Sequence, residues 1–273
     1  AALPDFQSDP EQQNELVQKA FGIIDKMEKA VGTDADAENR LTKIYVDLGK
    51  DLESQIKELG DEGNSAGKAA LSGAFEKFLQ QIKKRPQATT YKTMIWIAET
   101  YFTLGKSNSA DAEKADQYFG EAGDVYRRIL KRKLYKNPRQ EITIQMRLAA
   151  CLRGQEKYKD AIKQLVEILD RKAGNLGAQV QAAETLYDAG SLECDNYVKS
   201  FLGDEKNEET DRNIIWGWKK IAQQTASKVE LEKYFYTAKL YGVRARRKYA
   251  ECVREQSPKR ANRLFAAAEG NLL

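Results

Sequence analysis

A six-residue segment recurs 34 residues further along the chain, and this repeat constrains the fold more than any other sequence feature. Its apolar positions agree in place and type: Leu148, Ala149 and Leu152 in one copy, Ala182, Ala183 and Leu186 in the other. A related segment lies earlier, at Trp96–Tyr101. A fixed period of this length is typical of stacked helix pairs, because one pair alone cannot bury both of its faces.

The remaining pattern is helical as well. Apolar residues recur at intervals of three and four, as in the series Ala70, Ala74, Phe75, Phe78, Leu79 and Ile82. This spacing places one apolar stripe on each helix, and the absence of alternating β-branched runs predicts an all-α protein without a sheet. Asn137-Pro138 and Ser257-Pro258 mark helix starts, and Gln140 follows Asn137 at the spacing of a capping box.

Three copies of the repeat resemble the tetratricopeptide repeat family over residues 91–202. The pattern of that family is a first helix with large–small and then aromatic positions and a Gly near the turn, followed by Ala, aromatic and Ala in the second helix and often by Pro. The first copy has Ile97, Ala98, Tyr101 and Gly105, then Ala122, Tyr126 and Ile129. The second has Leu148, Ala149 and Leu152, then Tyr158, Ala161, Leu165 and Ile168. The third has Ala182, Ala183, Leu186 and Gly190, then Cys194, Val198 and Phe201.

The resemblance implies a right-handed α-solenoid of antiparallel helix pairs, with a plain helical bundle as the structural alternative. It divides the chain into three parts: degenerate N-terminal helical hairpins at 1–90, tetratricopeptide-like repeats at 91–203, and C-terminal helices at 204–273. The last part ends in a degenerate repeat or cap that contains Ala261, Phe265 and Ala268. Within it, the polar segment 203–211 is predicted to be a hinge or an exposed loop.

The resemblance also implies a function, since solenoids of this family bind a peptide or protein along a groove lined by the first helix of each pair. The positions just past the packing alanines are then the groove candidates: Glu99, Phe102, Arg153, Glu184 and Tyr187. We therefore expect a non-catalytic scaffold or adaptor with a protein partner, as part of a larger chain or complex. The alternative for each position is an ordinary solvated side chain.

A basic segment of the chain is the basis of an alternative function, nucleic-acid binding. Residues 127–139 carry seven positive charges and no acidic residue, and five of the charges form a basic patch: Arg127, Arg128, Lys131, Arg132 and Lys133. Such a run, with tyrosines nearby, is typical of nucleic-acid binders. RNA binding is thus the alternative function and not the expected one, because several of these charges are expected to pair with carboxylates of neighbouring repeats.

Enzymatic readings have little support in the sequence. The chain contains no histidine, which excludes Ser-His-Asp and Cys-His nucleophile systems and histidine-ligated zinc. It has neither a Gly-rich phosphate loop nor a metal-binding spacing, so we expect no metal and no cofactor. A carboxylate enzyme without histidine is the formal alternative.

Cysteine usage and chain ends leave the compartment open. Cys151, Cys194 and Cys252 form no CxxC pair, and their apolar helical contexts predict three small buried hydrophobes. No apolar run is long enough to span a bilayer. The chain begins Ala-Ala-Leu-Pro without Met, as in a mature exported product or a trimmed chain. We expect a soluble protein, either cytoplasmic or exported to the periplasm or cell envelope.

Overall fold

Helices account for almost all of the observed structure. The computed structural model describes residues 35–61, 63, 65–84, 90–207 and 212–269, with a few isolated positions before residue 28. The chain divides into two compact units, Ala1–Glu99 and Thr100–Leu273. The predicted all-α class is confirmed, with one short hairpin as an exception. Most of the predicted N-terminal hairpin segment before residue 35 lies outside the described residues.

The first unit is built on two helices, α1 (Ala35–Asp61) and α2 (Ser65–Lys84), which pack against each other. Tyr45 of α1 and Phe75 of α2 flank Phe78, with ring centroids 5.9 Å and 6.5 Å from it. All three rings are buried. The apolar spacing of α2 therefore marks its inward face, as the sequence pattern predicts.

A third helix, α3, spans Tyr91–Ser107 and crosses the boundary between the units. The second unit continues with α4 (Ala112–Lys131), α5 (Pro138–Gly154), α6 (Tyr158–Arg171), α7 (Leu176–Ala189) and α8 (Asp195–Leu202). From α4 to α8 each helix packs against the next one in sequence, and α5 also contacts α7. Contacts between neighbours in sequence thus dominate this part of the unit.

Polar side chains fix three of these helix starts. The side chains of Asp111, Asn137 and Asn175 each accept a hydrogen bond from the backbone N–H three residues later, at 3.0–3.2 Å. Gln140 also reaches back, but its Oε1 accepts from the backbone N–H of Lys136 at 2.7 Å, one residue before the cap. The predicted capping interaction of Asn137 is confirmed, while the returning bond is shifted by one residue.

Small residues occupy the centre of the second unit. Ala149, Ala161, Ala182 and Ala183 are at most 1% exposed, and the large residues Leu165, Ile168 and Leu169 are equally buried. A methyl side chain at a crossing lets two helix axes approach, and the large neighbours fill the adjacent grooves. The repeated small positions of the sequence therefore lie at the core.

The C-terminal part contains a two-stranded sheet, so the prediction of no sheet is wrong here. Strands β1 (Asp204–Asn207) and β2 (Arg212–Ile215) pair antiparallel, with Asp204 opposite Ile215. They are followed by α9 (Gly217–Thr225), a 3₁₀ turn at Val229–Leu231, α10 (Glu232–Val253) and α11 (Pro258–Glu269). The predicted hinge at 203–211 therefore contains a paired strand.

A buried glutamine of α7 holds this hairpin in place. Gln179 is 0% exposed; its Nε2 donates to the carbonyl oxygens of Ala173 and Ile214, both at 2.9 Å. Its Oε1 accepts from the backbone N–H of Trp216 at 2.8 Å. Both N–H donors and one of the two acceptor sites of the amide are used, and these hydrogen bonds offset the cost of burying it.

Two of the three cysteines are joined, which corrects the prediction that all are simple buried hydrophobes. Cys194, just before α8, forms a disulfide with Cys252 in the last turn of α10, with Cα atoms 6.2 Å apart. Cys151 is buried and lies outside the disulfide. The 58-residue separation of the bonded pair means that the link constrains a long segment of the unfolded chain.

Breaking the disulfide should lower stability substantially. Loop-closure entropy for a separation of 58 residues sets an expected loss of about 4 kcal/mol for Cys194→Ser/Cys252→Ser, measured by urea unfolding. Reduced wild type should unfold at the same urea concentration as the double variant. An unfolding midpoint that does not respond to reductant, or three titratable thiols in the unreduced denatured protein, would contradict this prediction.

Candidate functional site

A cleft of about 680 Å³ lies in the second unit, between α3, α4, α5 and α7. Its wall residues come from four separate stretches of sequence, and we call this cleft the groove. The wall includes Phe102, Lys106, Asp116, Phe119, Arg147, Arg153, Glu156, Gln181, Glu184 and Asp188. Three of its four helices (α3, α5 and α7) are the first helices of the predicted pairs.

One end of the groove is aromatic and basic. The rings of Phe102 and Phe119 meet edge to face at 5.6 Å between centroids. The guanidinium of Arg147 lies 5.3 Å from the centroid of the Phe102 ring, and the ammonium of Lys106 lies 6.0 Å from it. Both distances are within the range of cation–π attraction. This end therefore presents an apolar surface next to two positive charges.

Two glycines make room for the ring that forms the floor of this end. A methyl group at Gly105 would lie 2.9 Å from the Phe119 ring, and one at Gly154 would lie 2.5 Å from it. Both distances are shorter than real Cβ contacts. The close approach of α3 and α5 to Phe119 thus requires glycine at both positions.

The other end of the groove carries a three-residue ion cluster. Arg153 of α5 bonds to the carboxylate of Glu184, and its Nε lies 2.7 Å from Oδ2 of Asp188. Burial acts to lower the pKa of Arg153, but the two carboxylates outweigh it and raise that pKa above its ordinary value. Burial raises the pKa of Asp188 above its ordinary value of 3.8, with Arg153 opposing the rise.

One polar atom of the groove wall has no hydrogen-bond partner among the described residues. Gln181 Oε1 is buried and accepts no hydrogen bond within the described part of the chain. Because Gln181 also belongs to the groove wall, this orphaned acceptor is a place where a donor of a bound molecule would be favourable.

The structure brings together three of the five groove candidates. Phe102, Arg153 and Glu184 line the groove, and the last two form an ion pair. Glu99 is half-buried on α3 and belongs to the first unit. Tyr187 lies elsewhere: its ring packs edge to face on Tyr197 and Tyr241, at 5.5 Å and 5.4 Å, among the C-terminal helices.

Several groove residues were not singled out from the sequence. Lys106 lies four residues after Phe102, Arg147 six before Arg153, and Gln181 and Asp188 lie three before and four after Glu184. Residues three or four apart share a helix face. Extending each predicted position by one helical turn would therefore have found Lys106, Gln181 and Asp188. Phe119 comes from a second helix of a pair and carries no such signal.

The basic patch lies at the end of α4 and in the turn that follows. All five of its side chains are exposed. Arg127 pairs with Asp124 of the same helix at 2.7 Å. Arg128, Lys131, Arg132 and Lys133 make no ion pair with any carboxylate of the described residues. The expected pairing with neighbouring repeats is therefore not seen within the described ranges.

Comparison with known proteins leaves the family open. The chain matches no protein-family model, and no curated protein or solved structure matches it significantly. Within the described ranges, no group of three or more Cys, Asp and Glu residues is placed to hold a metal ion. None of the described helices is long and apolar enough to cross a membrane. The tetratricopeptide assignment stays a prediction.

Removing the arginine of the ion cluster should destabilise the protein in a pH-dependent way. In Arg153→Met the carboxylates of Glu184 and Asp188 lose their compensating charge. We expect the free energy of unfolding to fall by about 1–2 kcal/mol at pH 7, which lies between the losses typical of exposed and of buried ion pairs. The pKa of Asp188 rises further, and an acid with a raised pKa in the folded state costs stability only where it is ionised. The free energy of unfolding should be measured with urea at pH 7 and near pH 3.8, the ordinary pKa of an aspartate. The loss of stability in Arg153→Met should become smaller as the pH falls.

Arg171→Met is the matched control. Like Arg153, Arg171 forms an ion pair between two helices: it lies on α6 and pairs with Glu141 of α5 at 3.4 Å. Its side chain, however, is 51% exposed. We expect a change within about 0.5 kcal/mol at either pH. Equal effects of the two substitutions, or a deficit for Arg153→Met that grows in acid, would contradict the role assigned to the cluster.

Proposed function

We propose that this protein is a non-catalytic binding module whose second unit is a right-handed solenoid of the tetratricopeptide type. The proposal rests on the 34-residue repeat, on the buried alanines at the helix crossings, and on the packing of each helix against its neighbour in sequence. In this proposal the groove receives an extended peptide or a helix of a partner protein.

One observation carries the proposal. Phe102, Arg153 and Glu184 lie on three helices far apart in sequence, yet they line one cleft. Repeat packing explains this, because equivalent positions of successive helix pairs face the same side. Three of the five residues selected by their repeat position alone thus meet at a shared surface.

The chemistry of the groove suits a peptide. Its Phe102 end offers an aromatic surface for an apolar side chain, with Arg147 and Lys106 beside it for a carboxylate or a carbonyl oxygen. The orphaned Gln181 Oε1 suits a backbone N–H of the bound chain. Aromatic and arginine side chains are those enriched in the energetically important parts of interfaces.

The ion cluster favours a binding role over acid–base catalysis. Asp188 has a raised pKa and lies in a cleft, which are features of catalytic carboxyl groups. However, its Oδ2 is bonded to Arg153, and Glu184 is bonded to the same guanidinium. Both carboxylates are therefore held as partners of a positive charge and are not directed toward a reacting atom.

The disulfide supports an exported location. Disulfides persist in oxidising compartments and are rare where glutathione and thioredoxin keep thiols reduced. Cys194 and Cys252 are paired across 58 residues, which is a structural link between α8 and α10. Of the two locations left open by the sequence, we propose the periplasm or cell envelope.

Peptide display tests the groove directly. Random peptides displayed on phage, selected against the wild-type protein, should yield binders whose affinity falls at least about 10-fold in Phe102→Ala, because the variant loses the aromatic surface. Tyr236→Ala is the control, since Tyr236 is 61% exposed and does not line the groove. Failure to select any peptide, or equal binding by both variants, would overturn the proposal.

The basic patch supports RNA binding as a second candidate function. Four of its five cations have no carboxylate partner within the described ranges, and Lys133 adopts a left-handed backbone with a φ of 51°. That conformation strains a residue other than glycine. This conformation belongs to the end of α4, where the backbone N–H of Leu134 bonds to the carbonyl oxygen of Ile129, so the second candidate rests on the cations that are unpaired within those ranges.

Salt dependence tests the second candidate. If five phosphates are contacted, the affinity of a labelled uridine 20-mer should fall about 100-fold between 50 and 200 mM salt. The variant Lys131→Gln/Arg132→Gln/Lys133→Gln should then lower the slope of log affinity against log salt by about 2. The control variant Lys157→Gln/Lys159→Gln/Lys163→Gln removes equal charge from exposed positions outside the patch. No binding at the lower salt, or equal slopes in the two variants, rejects RNA binding.

A further inference from the structure

A second cavity, unrelated to the groove, lies between α9 and α10 beside the end of α8. Its volume is about 230 Å³. Its wall is formed by Phe201, Trp218, Lys219, Ala222, Gln223, Ala238, Lys239, Gly242, Val243 and Arg246. All of these residues belong to the second unit. If each non-hydrogen atom takes about 30 Å³, the volume of one water molecule in the liquid, the cavity has room for a molecule of about eight non-hydrogen atoms.

The charges of this cavity have one sign. Lys219, Lys239 and Arg246 contribute three cations, and none of the described wall residues is acidic. None of these cations forms an ion pair with a carboxylate in the part of the chain that the structure describes. Uncompensated positive charge around a concave surface attracts an anion.

Arg246 is the cation that the fold holds in position. Its guanidinium lies 3.9 Å from the centroid of the Phe201 ring, and Nη1 donates to the carbonyl oxygen of Ala267 at 3.1 Å. Burial lowers the pKa of Arg246 from its usual value, yet guanidinium remains protonated in proteins. The two contacts fix the guanidinium at the cavity and leave other N–H groups for an oxygen ligand.

The remainder of the wall is apolar and includes an orphaned donor. Phe201 and Val243, both partly exposed, supply apolar surface, and the fully buried Trp218 also belongs to the wall. The indole N–H of Trp218 has no acceptor among the described residues. A buried donor without an acceptor is costly, which is a physical reason for a ligand oxygen at this wall.

Gly242 keeps the cavity open at a cost to helix stability. It lies in the interior of α10, where glycine is about 1 kcal/mol less favourable than alanine. A methyl group here would lie 3.4 Å from the Phe201 ring and 3.6 Å from Trp218 Cβ, which are ordinary contacts. Sterics therefore do not require glycine, and the missing side chain leaves more space at the cavity wall.

We propose that the α9–α10 cavity binds a small amphiphilic carboxylate, with its apolar group against Phe201 and Val243 and its carboxylate on Arg246. Lys219 and Lys239, both exposed at the wall, add to the attraction for the anion. The site is independent of the peptide-binding groove, because the two share no wall residue.

Hexanoate, with eight non-hydrogen atoms, is the probe, and hexanamide is its neutral match in size. Titration followed by NMR of the three indole N–H signals should show millimolar binding of hexanoate that shifts the signal of Trp218. The affinity of hexanamide should be lower by about 10-fold or more, since it lacks the charge that Arg246 recognises. Equal binding of the two probes, or no binding at millimolar concentrations, overturns the proposal.

Two variants separate binding from folding. Arg246→Gln should weaken hexanoate about 10-fold and leave hexanamide unaffected. Gly242→Ala should weaken both probes by filling the cavity, while its urea midpoint stays equal to or above that of wild type, because alanine favours the helix. Lys163→Gln, which removes an exposed charge elsewhere, should change neither probe. Wild-type affinity for hexanoate in both Arg246→Gln and Gly242→Ala would refute the site.

Discussion

The second unit depends on the close approach of helices at alanines. Ala149, Ala161, Ala182 and Ala183 are at most 1% exposed, and the sequence pattern predicts a helix crossing at or beside each of them. A larger side chain there would push two axes apart and, because each helix packs on the next, would shift the helices that follow. These alanines lie on α5, α6 and α7, so the packing of these three helices depends on them, and α5 and α7 both contribute to the groove wall.

The wall of the groove is held by an ion cluster around Arg153 and by the packing of Phe119. Arg153 is brought between α5 and α7, where it would be costly to bury alone, and Glu184 and Asp188 of the facing helix offset that cost. The same cluster joins α5 to α7, so it connects two sides of the groove wall as well as balancing their charge. At the opposite end Phe119 packs against Gly105 and Gly154 and holds Phe102 at the surface. Both sets of side chains are therefore held by contacts within the protein, and under the proposed function this lowers the entropic cost of binding a partner.

Local rules predicted what depends on neighbours in sequence. Helical spacing, the Asn137 cap and the repeat positions Phe102, Arg153 and Glu184 all follow from residues within one or two turns, or from a fixed period. The hairpin did not follow, because Asp204–Asn207 has low strand propensity and is held instead by backbone pairing with Arg212–Ile215, the strand that Gln179 of another helix contacts at Ile214. The Cys194–Cys252 bond and the displacement of Tyr187 toward Tyr197 and Tyr241 likewise depend on how the C-terminal helices fold back, which no local pattern encodes.

The disulfide also changes the covalent topology of the chain. Cys194 and Cys252 close a ring that contains the hairpin, α9 and nearly all of α10. A single backbone cleavage anywhere inside this ring opens it without releasing a fragment, since both new ends remain attached to one molecule. Helix α11, which follows Cys252, is likewise retained. The part of the protein that builds the α9–α10 cavity can thus be nicked once and still remain one covalent unit until its cysteines are reduced.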